Sequence, residues 1–152
     1  MYNKKHRRVL EFFGWLVLIF LSGCGEKNKT YYVEGTVLFE GVPLSKALVS
    51  FIPVEISPET VFASGMTNEN GVFTLTVRPA GKEGGGTNPG NYIVTIERYK
   101  DEPSRTEKLP SGEAVPVFDL MIPSRYTSKD QSDLQAKVEK KDKNVFEFHL
   151  TK

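Results

Sequence analysis

The 152-residue chain has few of the residues from which most enzymes and metalloproteins build their sites. Cys24 is its only cysteine, so no intrachain disulfide and no multi-thiolate metal site can form. Its two histidines, His6 and His149, are too few for a zinc site made from His and Cys ligands. An excess of one charge is missing too: 20 Lys and Arg stand against 19 Asp and Glu, a net charge of +1. With the signs interspersed, this balance offers no basic face for nucleic acid. No long apolar run exists. Phe12 to Leu21 covers ten positions, half of the roughly 20 that a membrane-spanning helix needs. No stretch keeps a helical period, which argues against a helical body.

What is present begins with the leader. Lys4, Lys5, Arg7 and Arg8 precede the apolar run, which closes on Leu21-Ser22-Gly23-Cys24. A basic cluster, an apolar stretch and small residues before a cut are the parts of a secretory signal. With cysteine directly after the small pair, the segment resembles the lipobox of bacterial lipoproteins. That resemblance implies a signal peptide over residues 1–23 and a new N-terminus at Cys24, whose thiol carries diacylglycerol and whose amino group takes a palmitate-type acyl chain. It also implies a protein of the bacterial cell envelope, held on a membrane through Cys24 and facing periplasm or exterior. Gly25 rather than Asp after Cys24 favours the outer over the inner membrane. A lone cysteine is often a small buried hydrophobe. Here, however, Gly25-Glu26-Lys27-Asn28-Lys29 follow it, and residues 24–30 read as a solvated tether.

Without the leader, 16 basic and 18 acidic side chains remain in 129 residues, a length suited to one domain. The dominant signal there is alternation of period two between turn residues, which predicts an all-β domain over residues 31–150. Tyr31 to Glu40 is the first strand, with Tyr31, Val33, Gly35, Val37 and Phe39 on one face. A turn at Gly41-Val42-Pro43 leads to a strand over Ala47–Ile52, which Pro53 ends or places at an edge. Val61–Thr67 is a third strand, and Asn68-Glu69-Asn70-Gly71 a turn. Val72–Val77 is one further strand with Phe73, Leu75 and Val77 inward, and Asn91–Arg98 another with Tyr92, Val94 and Ile96 inward. Gly81–Gly90 and Tyr99–Pro116 read as loops, the second long and exposed, with Val117–Pro123 tucked back onto the body. Leu134–Val138 and Asn144–Leu150 read as a closing hairpin. About seven short strands of this kind predict a sandwich.

Several of these segments resemble the carboxypeptidase regulatory-like, or transthyretin-like, domain. They are Val33-Glu34-Gly35-Thr36-Val37, Gly41-Val42-Pro43-Leu44, Ala47-Leu48-Val49-Ser50-Phe51, Thr67-Asn68-Glu69-Asn70-Gly71-Val72-Phe73 and Pro89-Gly90-Asn91-Tyr92-Ile93-Val94. The tail, Ile122 to Tyr126 and Asn144 to Phe148, resembles the end of short envelope lipoproteins built on that domain. The resemblance implies a Greek-key β-sandwich of about seven strands, transthyretin-like, over residues 31–150. It implies no peptidase activity, since in the carboxypeptidases this domain accompanies a separate catalytic one.

The remaining candidates have plain structural explanations. Gly81-Lys82 with Gly84-Gly85-Gly86 lacks the Ser or Thr after lysine that a phosphate-binding loop needs. Asn68, Glu69 and Asn70 offer oxygens before Gly71, but too few for calcium, which takes six to eight. His149 has no nucleophile elbow to serve and reads as an exposed strand residue. An isopeptide crosslink to Asn144 would need a lysine in the first strand, which has none. The expectation is a protein with no catalytic residues, no metal and no cofactor, acting as an anchored structural or protein-interaction module. Its contact surface would be the segments Pro79–Pro89 and Tyr99–Pro116, on a rigid scaffold. The alternative is a module for carbohydrate or peptide using Tyr31, Tyr32, Tyr92, Tyr99 and Tyr126, which a solvent-facing tyrosine cluster near residues 99–126 would favour. The partners expected are the membrane, through Cys24, and an envelope protein or glycan.

Overall fold

The computed structural model describes residues 29–57, 60–78 and 85–152, so the cut site, Cys24 and residues 79–84 of the glycine-rich segment lie outside the described residues. Among the described residues there are eleven strands. They are β1 (Tyr32–Phe39), β2 (Val42–Pro43), β3 (Leu48–Pro53), β4 (Phe62–Met66), β5 (Val72–Thr74) and β6 (Thr76–Arg78). Then come β7 (Gly90–Glu97), β8 (Arg105–Lys108), β9 (Ala114–Val117), β10 (Gln135–Val138) and β11 (Lys143–Leu150). One 3-10 turn covers Ser124–Thr127.

Two sheets face each other across one core. In the first, β1 runs parallel to β11 on one side and pairs with β2 and β5 on the other. The second has the order β10-β7-β3-β4-β6, all its pairings antiparallel. Within it β3, β4 and β6 lie side by side and β7 returns beside β3, which is the Greek-key order. Counting β5 and β6 as one segment, seven stretches (β1, β3, β4, β5–β6, β7, β10 and β11) make the frame, as the alternation and the resemblance led one to expect.

The alternation placed the core correctly. Val33, Val37, Val49, Phe51, Phe73, Leu75, Tyr92, Val94, Ile96 and Phe148 are buried, and Phe146 is half-buried against them. Phe51 of the second sheet is the hub. Its ring lies 5.6 Å from those of Tyr92 and Phe146, and 6.2–6.3 Å from those of Phe148 and Phe73, so it meets rings from both sheets. Tilted and edge-on contacts of this kind add about 0.5–1.5 kcal/mol each beyond burial.

The structure corrects four local expectations. The turn after β1 is Glu40-Gly41, both left-handed, and Val42-Pro43 already belong to β2. This is the turn that matches the twist of a two-residue hairpin. Val72–Val77 is not one strand: β5 pairs with β1 and β6 with β4, so the chain changes sheets at Leu75. The Leu75 N–H donates to the Val33 carbonyl at 3.0 Å. Gly65 of β4 makes room, since a methyl there would strike the Thr74 carbonyl oxygen. Residues 134–138 and 144–150 are not a hairpin either, because β10 joins β7 and β11 joins β1. Asn144, buried, ties that crossover. Its side chain accepts from the Glu139 N–H at 2.9 Å and donates to the Glu139 carbonyl at 3.1 Å and the Tyr32 carbonyl at 3.4 Å. Last, Tyr99–Pro116 is not a plain loop, since β8 and β9 pair as a separate hairpin exposed along β8.

The Asn68–Gly71 turn forms as expected. Asn68 Oδ1 accepts from the N–H groups of Asn70 and Val72 at 2.9 and 3.0 Å, and Gly71 takes φ = +72°. Val117 stays in β9 and Phe118 is exposed, and the return to the body covers residues 120–123: Met121 N–H donates to the Arg98 carbonyl at 2.8 Å, and Ile122 is buried. Among the described residues no helix is long and apolar enough to cross a membrane.

Candidate functional site

The sandwich has two chemically different poles. The described chain enters at Lys29, whose ammonium sits 5.7 Å from the Tyr31 ring centroid. Tyr31 pairs with Thr87 through backbone hydrogen bonds of 2.8 and 3.1 Å, so the end of the glycine-rich segment is built into the body. Thr87 is buried, its hydroxyl 3.1 Å from the Tyr92 hydroxyl, which donates to the Asn88 carbonyl at 2.7 Å. Burial pushes the Tyr92 phenol above its usual range, so it serves as a neutral structural donor. Tyr92 also faces Pro53, the last residue of β3. This is the entry pole.

At the far end of the second sheet, Leu48 of β3 lies between Met66 of β4 and Glu97 of β7 in one cross-strand row. Five residue steps along β7 lead from Tyr92 to Glu97, about 17 Å at the usual rise per residue. Leu48 and Met66 point away from the core, because Ala47 and Val49 point into it. Around this row opens a groove of about 530 Å³, lined also by Lys46, Arg98, Tyr99, Lys100 and Asp101. Met66 and Tyr99 are 61% and 45% exposed.

Buried Arg98 anchors one wall of the groove, and exposed ion pairs line its rim. Buried Arg98 donates through Nε to the Ser45 carbonyl at 2.8 Å, through Nη1 to the Tyr99 carbonyl, and through Nη2 to Asp101 at 3.2 Å. Lys46 Nζ reaches Asp101 at 3.1 Å. The Lys46 hydrogen bond, then that of Arg98, holds the Asp101 carboxyl below its usual range. Next to the groove, Ser104 and then Lys100, at 2.9 and 3.4 Å, do the same for Asp119 and anchor the base of the β8–β9 hairpin. The result is an apolar floor of Leu48, Met66 and Tyr99, rimmed by charges of both signs. Within it the Tyr99 hydroxyl donates to Glu97 at 3.5 Å.

The other sequence candidates lie apart from it. His149 is exposed on the outward face of β11, where its ring contacts Glu147 and, among the described residues, no serine. Among the described residues no three His, Cys, Asp or Glu gather as a metal site. The tyrosines disperse. Tyr92 and Tyr126 are buried, while Tyr99 is exposed at the groove and Tyr32 is exposed on β1 beside the entry pole. The Tyr126 hydroxyl is occupied by the Thr151 N–H at 3.1 Å and by Arg125 at 3.0 Å; these bonds outweigh burial and lower its pKa. Cys24, Gly81 and Lys82 lie outside the described residues. Sequence reasoning picked out Tyr99 but missed Lys46, Leu48 and Met66. The one available signal was an apolar residue at an outward parity, Leu48 in β3 and Met66 in β4.

No protein-family model matches the chain, and no curated protein is similar to it. Among solved structures it is similar to a 9R-lipoxygenase from Cyanothece PCC8801, at 14% identity and a TM-score of 0.42 over 84% of this chain. It is also similar to the major pilin subunit BcpA of Bacillus cereus, at 12% identity and a TM-score of 0.42 over 82% of this chain. The chain spans 17% and 30% of the lengths of these two proteins.

Proposed function

We propose that the protein is a lipid-tethered, non-catalytic β-sandwich of the bacterial cell envelope that presents a binding groove to a partner protein. The observation that carries this reading is the opposition of the poles. The described chain begins with Lys29 at one end, and the groove opens at the other. A lipid on Cys24 therefore leaves the groove clear of the bilayer.

The chemistry of the groove favours a protein partner. An apolar floor accepts an aliphatic or aromatic side chain, and fixed Lys46, Asp101 and Lys100 select its charged neighbours. Pre-organised walls reduce the ordering cost of binding. A glycan would want several stacking faces, and Tyr99 is the one aromatic that lines the groove. The test is a photo-crosslinking amino acid at position 66 or 99, with position 145 on the opposite sheet as control, activated in intact envelopes. One discrete adduct from 66 and 99 but not from 145 is expected. No adduct, or the same adduct from all three, would refute the groove as the contact site.

A further inference from the structure

The entry pole carries an apolar surface that the sandwich itself does not need. Val54, Ile56 and Phe62 are 52%, 69% and 52% exposed. Phe51 pairs with Ala63, which sets Phe62 beside Ile52, and Ile52 pairs in turn with Ile93. Phe62, Ile52 and Ile93 therefore form a cross-strand apolar row on the outer face of the second sheet, continued past Pro53 by Val54 and Ile56. Contiguous exposed apolar surface marks a contact site, whereas single exposed residues do not.

Asn88 places that surface at the point where the chain enters. Its Oδ1 accepts from the Val61 N–H at 3.2 Å, and its Nδ2 donates to the Lys29 carbonyl at 3.4 Å. One side chain thus binds the segment leading into β4 to the start of the described chain. Five residue steps lead from Cys24 to Lys29, at most about 17 Å of extended chain.

We infer that the entry pole inserts into the bilayer interface, with Val54, Ile56 and Phe62 seated among the headgroups and upper acyl chains. The inference rests on the reading of Cys24 as the lipid-bearing residue. A tether this short holds the pole beside the headgroups, so weak apolar contacts become intramolecular and are favoured by effective concentration. Amphipathic surfaces bind at this depth when apolar side chains reach the acyl boundary. Insertion fixes the long axis of the sandwich and points the groove away from the membrane.

The test uses the full protein extracted from membranes and reconstituted in phosphatidylcholine vesicles with brominated acyl chains. Trp15, the only tryptophan, falls in the leader removed before Cys24, so Ile56→Trp or Met66→Trp gives the mature protein one reporter at either pole. Ile56→Trp is expected to show blue-shifted emission and quenching by the brominated lipid, and Met66→Trp neither. Water-like emission from both while the protein floats with the vesicles would overturn the inference and leave the anchor standing. Equal quenching of both would also overturn it, because the body would then lie flat. Failure to float would sink the anchor and the inference together.

Discussion

Replacing Phe51 by alanine removes the ring that touches Phe73, Tyr92, Phe146 and Phe148, and so the contact that joins the two sheets. Phe51 is 1% exposed, which leaves little room for the site to collapse without moving both sheets. Large-to-small changes of this kind cost about 3–5 kcal/mol. Four aromatic pairs, at about 0.5–1.5 kcal/mol each and partly counted in that figure, push the expectation to its upper end. A loss of about 4–5 kcal/mol is a large part of the roughly 5–15 kcal/mol that holds a domain folded. Urea unfolding followed by circular dichroism should show a much lower midpoint with an unchanged slope. Glu147→Ala, on the outward parity of β11, should stay within about 0.5 kcal/mol. A loss below about 1.5 kcal/mol for Phe51→Ala, or equal losses at both positions, would refute the assigned core, since a one-residue slip exchanges the two faces.

Asn144→Ala should cost about 1–3 kcal/mol, because it leaves the buried polar groups of the β10–β11 crossover without partners; the same urea titration reads it. Gly71→Ala should destabilise by about 1–3 kcal/mol, since φ = +72° is strained for alanine and its methyl would lie 2.6 Å from the Val37 carbonyl oxygen; the loss of thermal midpoint checks it. Glu34, whose carboxyl Lys143 holds low at 2.7 Å, and Asp101, held low by Lys46 and Arg98, are stabilised by folding in their ionised forms. Their contribution is complete above the ordinary carboxylate range near 4 and is lost as pH falls through the lowered folded values. The urea midpoint should therefore fall on acidification below about pH 4, and less steeply in Glu34→Gln with Asp101→Asn. Because Lys143, Lys46 and Asp101 are exposed, added salt should flatten the same dependence.

The strands that could be read from sequence are those whose inward residues alternate without interruption, such as Val33 and Val37 in β1 or Tyr92, Val94 and Ile96 in β7. Alternation reports which side chains face the core, but in a sandwich both sheets face the same core. Phe73, Leu75 and Val77 therefore keep one parity across the change of sheet, and nothing in their order shows that the chain has moved from β1 to β4. The short connection from Val138 to Lys143 looked like a hairpin for the same reason. The cue to the crossover is the buried amide of Asn144, which becomes meaningful only once Glu139 and Tyr32 stand beside it. β8 and β9 escaped notice because β8 is exposed throughout, so no alternation was required of it. The groove was not legible: Leu48, Met66 and Glu97 come from three strands and meet only through register.

The most direct measurement is the intact mass of the protein extracted from its own membranes in detergent, together with the position of its N-terminus. A species beginning at Cys24 and carrying the added mass of a diacylglyceryl thioether and an amide-linked acyl chain is expected, with that mass lost in Cys24→Ser. A species that retains residues 1–23, or that begins at Cys24 without lipid, would contradict the tether, and with it the orientation that turns one pole to the membrane and the groove to a partner.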